Sequence, residues 1–396
     1  MIPYILPENW MVYDPVAVSV PLASAKAAVL SLTTIPYQKS WFNDLQIVQL
    51  KREVAGTSRI EGAEFTEQEL DAAMRESPGQ LYTRSQRQAA AATKAYQWIA
   101  RLPGDYPVDK KLIFELHRLL ITDADDDHCP PGKLRSRDEN VTFGTLRHRG
   151  VEGGPTCERA FDALCRAVKE EISDHDPLLQ ALAVHYHFAA MHPFLDGNGR
   201  TARALEAILL HRSGLRDILI AMSNYYYEEK SGYLSKLAEV RAKSHDLTAF
   251  LIFGLKGIEF QCRRVFDEIR KQVAKVLFRN LMYDLFNRLK TARKRVIAER
   301  QIKMLTLLLE SDQTLESLLI RTAGMYGSLK NPVKAGLRDI NGLILLKAVG
   351  FEKLPDNGYR LFARLEWPAE ITETEFFRRI KDMPKARTYA FLDDID

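Results

Sequence analysis

Cysteine pairs at metal-binding or disulfide-like spacing are missing from this chain. Its four cysteines, Cys129, Cys157, Cys165 and Cys262, make no CxxC, which speaks against a zinc site or a disulfide framework and fits free thiols in a reducing compartment. A dominant charge is missing as well: 56 Lys and Arg against 52 Asp and Glu leave a formal net charge of +4, too balanced to imply nucleic acid by itself. The N-terminus shows no basic-then-apolar leader, and no uninterrupted apolar run of about 18 residues is evident, so no bilayer span is expected and a cytoplasmic protein is. What is present, 396 residues with 46% hydrophobic content, suffices for a sizeable core divided among two or three domains.

Most of the chain has a helical period. Residues 1–40 hold Pro3, Pro7, Pro15, Pro21 and Pro36, which predicts an extended or turn-rich opening with at most one short helix over residues 23–32. The next helix runs to a plausible C-cap at Gly62 and places Glu61 in its last turn. A carboxylate there faces the negative end of the helix dipole, so a compensating cation is expected nearby. Thr66-Glu67-Gln68-Glu69 reads as a capping box, and Asp109 and Asp176-Pro177 as helix starts. The acidic run Asp123 to His128 lacks the glycine and terminal glutamate of a calcium loop and reads as a solvated loop. Between Pro130 and Pro155 the helical period stops. Val141, Thr142 and Phe143 alternate before Gly144, predicting a short β-hairpin whose free edge can accept an extended peptide.

The densest chemistry lies at His192-Pro193-Phe194-Leu195-Asp196-Gly197-Asn198-Gly199-Arg200-Thr201-Ala202-Arg203. Pro193 biases His192 away from helical geometry, so the histidine stands where one helix gives way to a loop. Gly197, Asn198 and Gly199 ahead of the next helix can turn backbone N–H groups outward as an anion nest. Arg200 and Arg203, three apart, are expected to project from one face beside it, towards phosphate oxygens. Asp196 suits a magnesium ion, which takes one or two carboxylates together with substrate phosphates. His192 is then a candidate general base for a hydroxyl approaching the phosphate.

This stretch resembles the signature of the Fic family, HxFx(D/E)GNGRxxR, at every defining position, and the resemblance covers residues 40–245. It implies a helical core with a small β-hairpin flap that transfers AMP from ATP to a Ser, Thr or Tyr hydroxyl of a target protein. By that resemblance His192 deprotonates the hydroxyl, Asp196 carries Mg²⁺, Gly197, Asn198 and Gly199 form the anion hole, and Arg200 and Arg203 take the β- and γ-phosphates. Val141, Thr142 and Phe143 become the target-docking flap. Gly199 stands where the phosphorylating Doc branch has lysine, which favours nucleotidyl transfer. Tyr227 and Tyr233 fall where the family contacts the adenine, although Glu229-Lys230 departs from its usual asparagine.

The segment from Thr57 to Gly62 is similar to the family's inhibitory motif, (S/T)xxxE(G/N), in the N-terminal placement of class II members. The resemblance pairs Glu61 with Arg203, the cation that Glu61 seemed to require. A bidentate pair of this kind contributes about 2–3 kcal/mol, or roughly 30- to 100-fold in activity. Some members use the same glutamate to remove AMP, so the reverse reaction stays open.

In the C-terminal third, helices over residues 304–309, 314–320 and 328–340, ending at Asn341-Gly342, and strands over 343–347 and 359–365 look like a winged helix. Its third helix would bring Lys330, Lys334 and Arg338 to DNA, or the module would dock a protein or form a homodimer. That gives a second reading of the whole chain, a DNA-binding regulator or docking protein. The expected organisation is mainly α: an N-terminal helical inhibitory region (1–104), a Fic core (105–255), a helical connector (256–298), a winged-helix domain (299–367) and a charged tail (368–396).

Overall fold

The structure is a computed structural model that describes residues 2–35, 39–76, 80–144, 147–215, 219–289, 291–355 and 358–382. The end of the expected tail, 383–396, lies outside them. The chain divides into two compact units, Met1–Phe266 and Asp267–Asp396.

The first unit holds α1 (Pro15–Thr34), α2 (Lys39–Ile60), α3 (Glu67–Arg75), α4 (Arg84–Ile99), α5 (Lys110–Ile121), the hairpin β1 (Thr142–Phe143) and β2 (His148–Arg149), α6 (Pro155–Glu170), α7 (Pro177–Met191), α8 (Asn198–Arg212), α9 (Met222–Glu228), α10 (Lys230–Ala242) and the first half of α11 (Thr248–Asn287). Local chemistry starts the helices after Thr66, Asp109 and Asp176 where expected. Thr66 and Thr83 each form a capping box, and Asp109 and Asp176 accept backbone N–H groups. Buried residues encircle α7, from Leu178 round to Met191, as a central helix requires. Packed along it, α8 turns its own buried residues inward, so the connection between the two helices is held by the core on both sides.

α1 corrects the expectation of a proline-broken opening. It is 20 residues long because Asp14 caps it and Pro15 occupies its first turn, where the missing N–H costs nothing. Pro21 lies inside it and removes one hydrogen bond, to the carbonyl of the exposed Ala17. α1 is also long and apolar enough to cross a membrane by length and composition alone, contrary to the expectation that no such segment exists.

The second unit takes the remainder of α11, then α12 (Ala292–Glu310), β3 (Gln313–Thr314), α13 (Leu315–Thr322), α14 (Pro332–Leu345), β4 (Val349–Lys353), β5 (Tyr359–Ala363), α15 (Trp367–Glu370) and α16 (Glu373–Asp382). Its strands form an antiparallel sheet ordered β3-β5-β4, with Phe351 opposite Leu361. Phe278, Met282, Leu305, Leu308, Leu343, Leu361 and Trp367 build its core. The strand expected at 343–347 is instead the end of α14, and pairing begins at Val349. Gly342 is carried within the helix, and Lys347, at φ +62°, makes the left-handed turn that ends it.

Candidate active site

α7 ends at His192, which takes a left-handed conformation (φ +52°) while its N–H still reaches Phe188 O at 3.1 Å. A non-glycine residue rarely adopts this geometry unless its surroundings impose it. Arg135, almost fully buried, does so: its guanidinium donates to the His192 carbonyl at 3.0 and 2.8 Å, to Glu139 O, and to Val151 O. Downstream, Asn198 clasps the loop, accepting from Phe194 N at 2.9 Å and donating to Phe194 O at 2.8 Å. Phe194 is fully buried, its ring stacked on His117 at 3.7 Å. Gly197 caps α8 at φ +71°, where a Cβ would come within 2.6 Å of Ile121. Asn198 and Gly199 thus belong to the first turn of α8, two residues earlier than the helix start predicted at Arg200.

With its Nδ1 donating to Ala189 O, His192 leaves Nε2 as the free lone pair. Burial, with a smaller push from Arg135 and Arg241, takes its pKa down to about 4, against the opposing hydrogen bond to Ala189. The ring is therefore neutral at physiological pH. Phe143 of β1 lies flat on it, centroids 3.7 Å apart and planes 7° from parallel. The hairpin pairs Thr142 with Arg149 and Phe143 with His148, and Val141 O accepts from Gly150 N at 3.1 Å. Its β2 edge is bridged by the chain's own Ile2, whose carbonyl accepts from Arg149 N at 3.0 Å. Thr142 stays exposed on β1.

Asp196 Oδ1 accepts from Gly197 N at 2.6 Å, while Oδ2 lies 3.0 Å from His128 Nε2 and 3.5 Å from Arg84. Burial raises its pKa, but Arg200 and these donors outweigh burial and hold the carboxyl below its ordinary value. The acidic run expected to be a solvated loop reaches into this site. Asp125 is fully buried, with Arg200 at 2.6 Å, Arg84 at 2.6 Å and Gln88 at 3.0 Å on its oxygens. Burying a carboxylate requires this degree of pairing, and three partners supply it. Asp125, His128 and Asp196 bring one potential metal-ligand atom each within 4.8 Å of one another.

Arg200 and Arg203 diverge despite their three-residue spacing. Arg200 turns inward to Asp125. Arg203, 3% exposed, donates to Thr57 Oγ1 at 2.9 Å, to Thr57 O at 3.2 Å and to Glu61 Oε1 at 2.6 Å. Glu61 thereby lies against the opening turn of α8: a Cβ on Gly199 would meet its Oε1 at 2.4 Å. Arg203 prevails over the opposing effect of burial and holds the Glu61 carboxyl below its usual value. The helix carrying it is fixed by contact of backbone on backbone, since a Cβ on Gly56 would strike the Ser223 carbonyl carbon of α9 at 2.4 Å. Ser223 in turn donates from its backbone N–H to the buried Glu53 of α2 at 2.9 Å.

The two tyrosines separate. Tyr233 is buried, its hydroxyl 2.8 Å from His185 Nε2 and its ring stacked on Tyr226. Glu206 closes this network, accepting from Tyr226 at 2.9 Å and meeting His185 Nδ1. Tyr227 is 38% exposed, with the Arg59 guanidinium 5.8 Å from its ring centroid. Asp125, His128 and Arg135 were not among the residues predicted for the site. For Arg135 the one available signal was its place just ahead of the hairpin.

Residues 107–210 match the Fic/DOC family. The protein adenylyltransferase fic-1 of Caenorhabditis elegans is 30% identical over 165 residues, 42% of this chain and 30% of that protein. The protein adenylyltransferase Fic of Drosophila erecta is 43% identical over 61 residues, 15% of this chain and 12% of that protein. The matches thus span less than a third of these relatives' length. Among solved structures, a Fic family protein from Desulfovibrio desulfuricans G20 superposes with a TM-score of 0.56 at 17% identity, covering 89% of this chain and 98% of that one. The C. elegans Fic-1 structure gives 0.54 at 19% identity, covering 65% and 75%. These likenesses concern the fold.

Proposed function

Because residues 107–210 match the Fic/DOC family, we propose that this chain is a protein adenylyltransferase, moving AMP from ATP to a Ser, Thr or Tyr hydroxyl of a target protein and of itself, and that it rests inhibited. The observation that carries this reading is the position of Glu61, on Arg203 and against Gly199 at the N-terminus of α8. A helix start with a buried arginine beside it is an anion site, and here a carboxylate of the chain itself lies against it. A nucleotide phosphate and the Glu61 carboxylate cannot share that space, so turnover requires Glu61 to leave.

With Glu61 away, the first-turn N–H groups of α8 and the Arg203 guanidinium face the phosphates. His192 Nε2 accepts the proton of the target hydroxyl, the oxygen attacks the α-phosphorus, and the bond to pyrophosphate breaks as pyrophosphate departs. The protein's part is to position and to stabilise charge. Asp196 fits a divalent cation: it is an ionised, partly exposed oxygen donor, whereas Asp125 is already saturated by Arg84, Gln88 and Arg200. Asp196 would hold Mg²⁺, which when bound neutralises phosphate charge. The exposed Thr142 on β1 supports the hairpin as the strand that receives the target.

The decisive experiment compares ATP labelled at the α-phosphate with ATP labelled at the γ-phosphate, using Glu61→Gly protein. Label transferred from the α-position alone supports adenylylation, and transfer from the γ-position overturns it in favour of phosphorylation. Incubating modified protein with the wild type tests removal of AMP.

For the second unit we propose a winged-helix module. Lys330, Lys334 and Arg338 are exposed along α14 and its approach, while the one carboxylate of that helix, Asp339, is buried on Arg300 at 2.7 Å. This leaves an outward face of one sign, which supports the second reading, contact with DNA phosphates. Salt-sensitive binding of duplex DNA, lost in Lys334→Ala/Arg338→Ala, tests it; no binding at low salt assigns the module to protein docking. The four free cysteines support placement in the cytoplasm.

A further inference from the structure

α1 is apolar on two sides. Val18, Ala25, Ala28, Val29 and Leu32 are buried in the first unit. On the opposite side Val16, Val20, Ala23, Ala27, Leu30 and Thr34 follow one another at alternating steps of four and three residues, the spacing of a single helix-pairing stripe. All six are exposed, Val16 at 80%, Val20 at 73% and Leu30 at 63%. The only charged side chain of the helix, Lys26, is taken up by Asp176 at 2.7 Å. A helix face that is apolar is ordinarily covered, and this stripe has no cover among the described residues.

We infer that a second copy of this chain covers it, α1 against α1, antiparallel about a two-fold axis passing near residue 25. In that register Ala23 opposes Ala27 of the second copy, Val20 opposes Leu30, and Val16 opposes Thr34. Small residues therefore meet at the centre, where the helices must approach closely, and larger ones fill the space towards the ends. One stripe complements itself, which is the requirement of an isologous contact. Stripe and flanks offer no unpaired charge by which a partner of opposite sign would be selected, and antiparallel pairing sets the two helix dipoles head to tail. A membrane surface is the poorer occupant: interfacial helices carry Lys and Arg beside bulky apolar or aromatic anchors, whereas α1 is flanked by serines, threonines and one internally paired lysine. A single helix pair falls short of the ~1,200 Å² at which stable interfaces begin, so the dimer is concentration-dependent.

Sedimentation equilibrium of the full chain over a concentration series tests this, with Ala27→Glu and Val20→Arg as disrupting variants and circular dichroism as a check that both fold. The wild type is expected to dimerise reversibly and each variant to weaken association at least tenfold. Mixing Ala23→Cys with Ala27→Cys protein under oxidation is expected to give more cross-linked dimer than either alone. A wild type monomeric throughout the series, variants that dimerise as well as the wild type, or cross-linking strongest within a single variant would each overturn the proposal. So would α1-dependent binding to phosphatidylcholine–phosphatidylglycerol vesicles without self-association.

Discussion

Arg203 and Glu61 are separated by 142 residues in sequence and by 2.6 Å in space. The contact joins the end of α2 to the second turn of α8, and Thr57, one helical turn before Glu61, holds the same guanidinium by its hydroxyl and its carbonyl. Glu61→Gly removes the carboxylate and leaves Thr57 to keep Arg203 in place. Its automodification rate is expected to exceed that of the wild type by roughly 10- to 100-fold, the range for losing one charge-assisted pair. Glu61→Gln, which keeps the bulk and loses the charge, should fall between the two; initial rates with α-labelled ATP measure both. Equal rates in all three proteins would remove Glu61 from control of the site.

His192→Ala is expected to abolish transfer. In the active Glu61→Gly protein the pH profile should be just as diagnostic. With its pKa pushed down to about 4, His192 is already unprotonated across the neutral range, so kcat/KM should show no acid limb near the ordinary histidine value of about 6.5. An inflection near 6.5 would contradict the environment described for His192.

His117 and His187 are fully buried, and burial lowers them to about 4 and about 3. Unfolded, each titrates near 6.5. Between the folded and unfolded values the unfolded chain binds protons that the native chain does not, so stability rises with pH through that window and is lost as pH falls from about 6.5 towards 4. Thermal unfolding at pH 5 should therefore occur below that at pH 7.5, and replacing His187 with Asn should flatten the difference.

Asp125→Asn leaves Arg200, 2% exposed, without its buried counter-charge. Removing one member of a buried pair costs about 3–5 kcal/mol, so a clear drop in melting temperature is expected. In the Glu61→Gly background KM for ATP should also rise, because Arg200 is freed from the position that it holds beside Asp196. Unchanged melting and KM would show that Asp125 fixes nothing.

The flap makes a narrower prediction. Phe143→Ala uncovers His192, and the added solvent should return its pKa towards 6.5, visible in an NMR titration of the ring. An unshifted titration would mean that Phe143 contributes little to the burial of His192.

The candidate site stretch was legible because its chemistry is contiguous: histidine, carboxylate, glycines and arginines sit within twelve residues, and Pro193 announces where the helix must stop. Glu61 was legible for a different reason, since its disfavoured place at a helix end demanded a cation elsewhere. Asp125 was not, because four aspartates in five residues read as a solvated run and the partner that buries one of them, Arg200, lies 75 residues away. α1 was misread through its prolines, since a proline count does not distinguish Pro15 at a helix start from Pro21 inside one. In the second unit Gly342 reads as a stop, yet α14 continues past it, its end fixed only at Lys347.

Gly56 bears on how the proposed inhibition would be released. Because α2 touches α9 backbone to backbone at that residue, and Glu53 one turn earlier is tied to Ser223, α2 is anchored five residues short of Glu61. A pivoting helix would have to break that anchor. The segment left to yield is the final turn from Thr57 to Gly62, whose unwinding withdraws Glu61 while everything before Gly56 stays seated. On the proposed inhibition the switch is the unwinding of that one turn, and replacing Gly62, whose φ of +91° suits glycine, should weaken the helix end and raise resting activity without touching the nucleotide site.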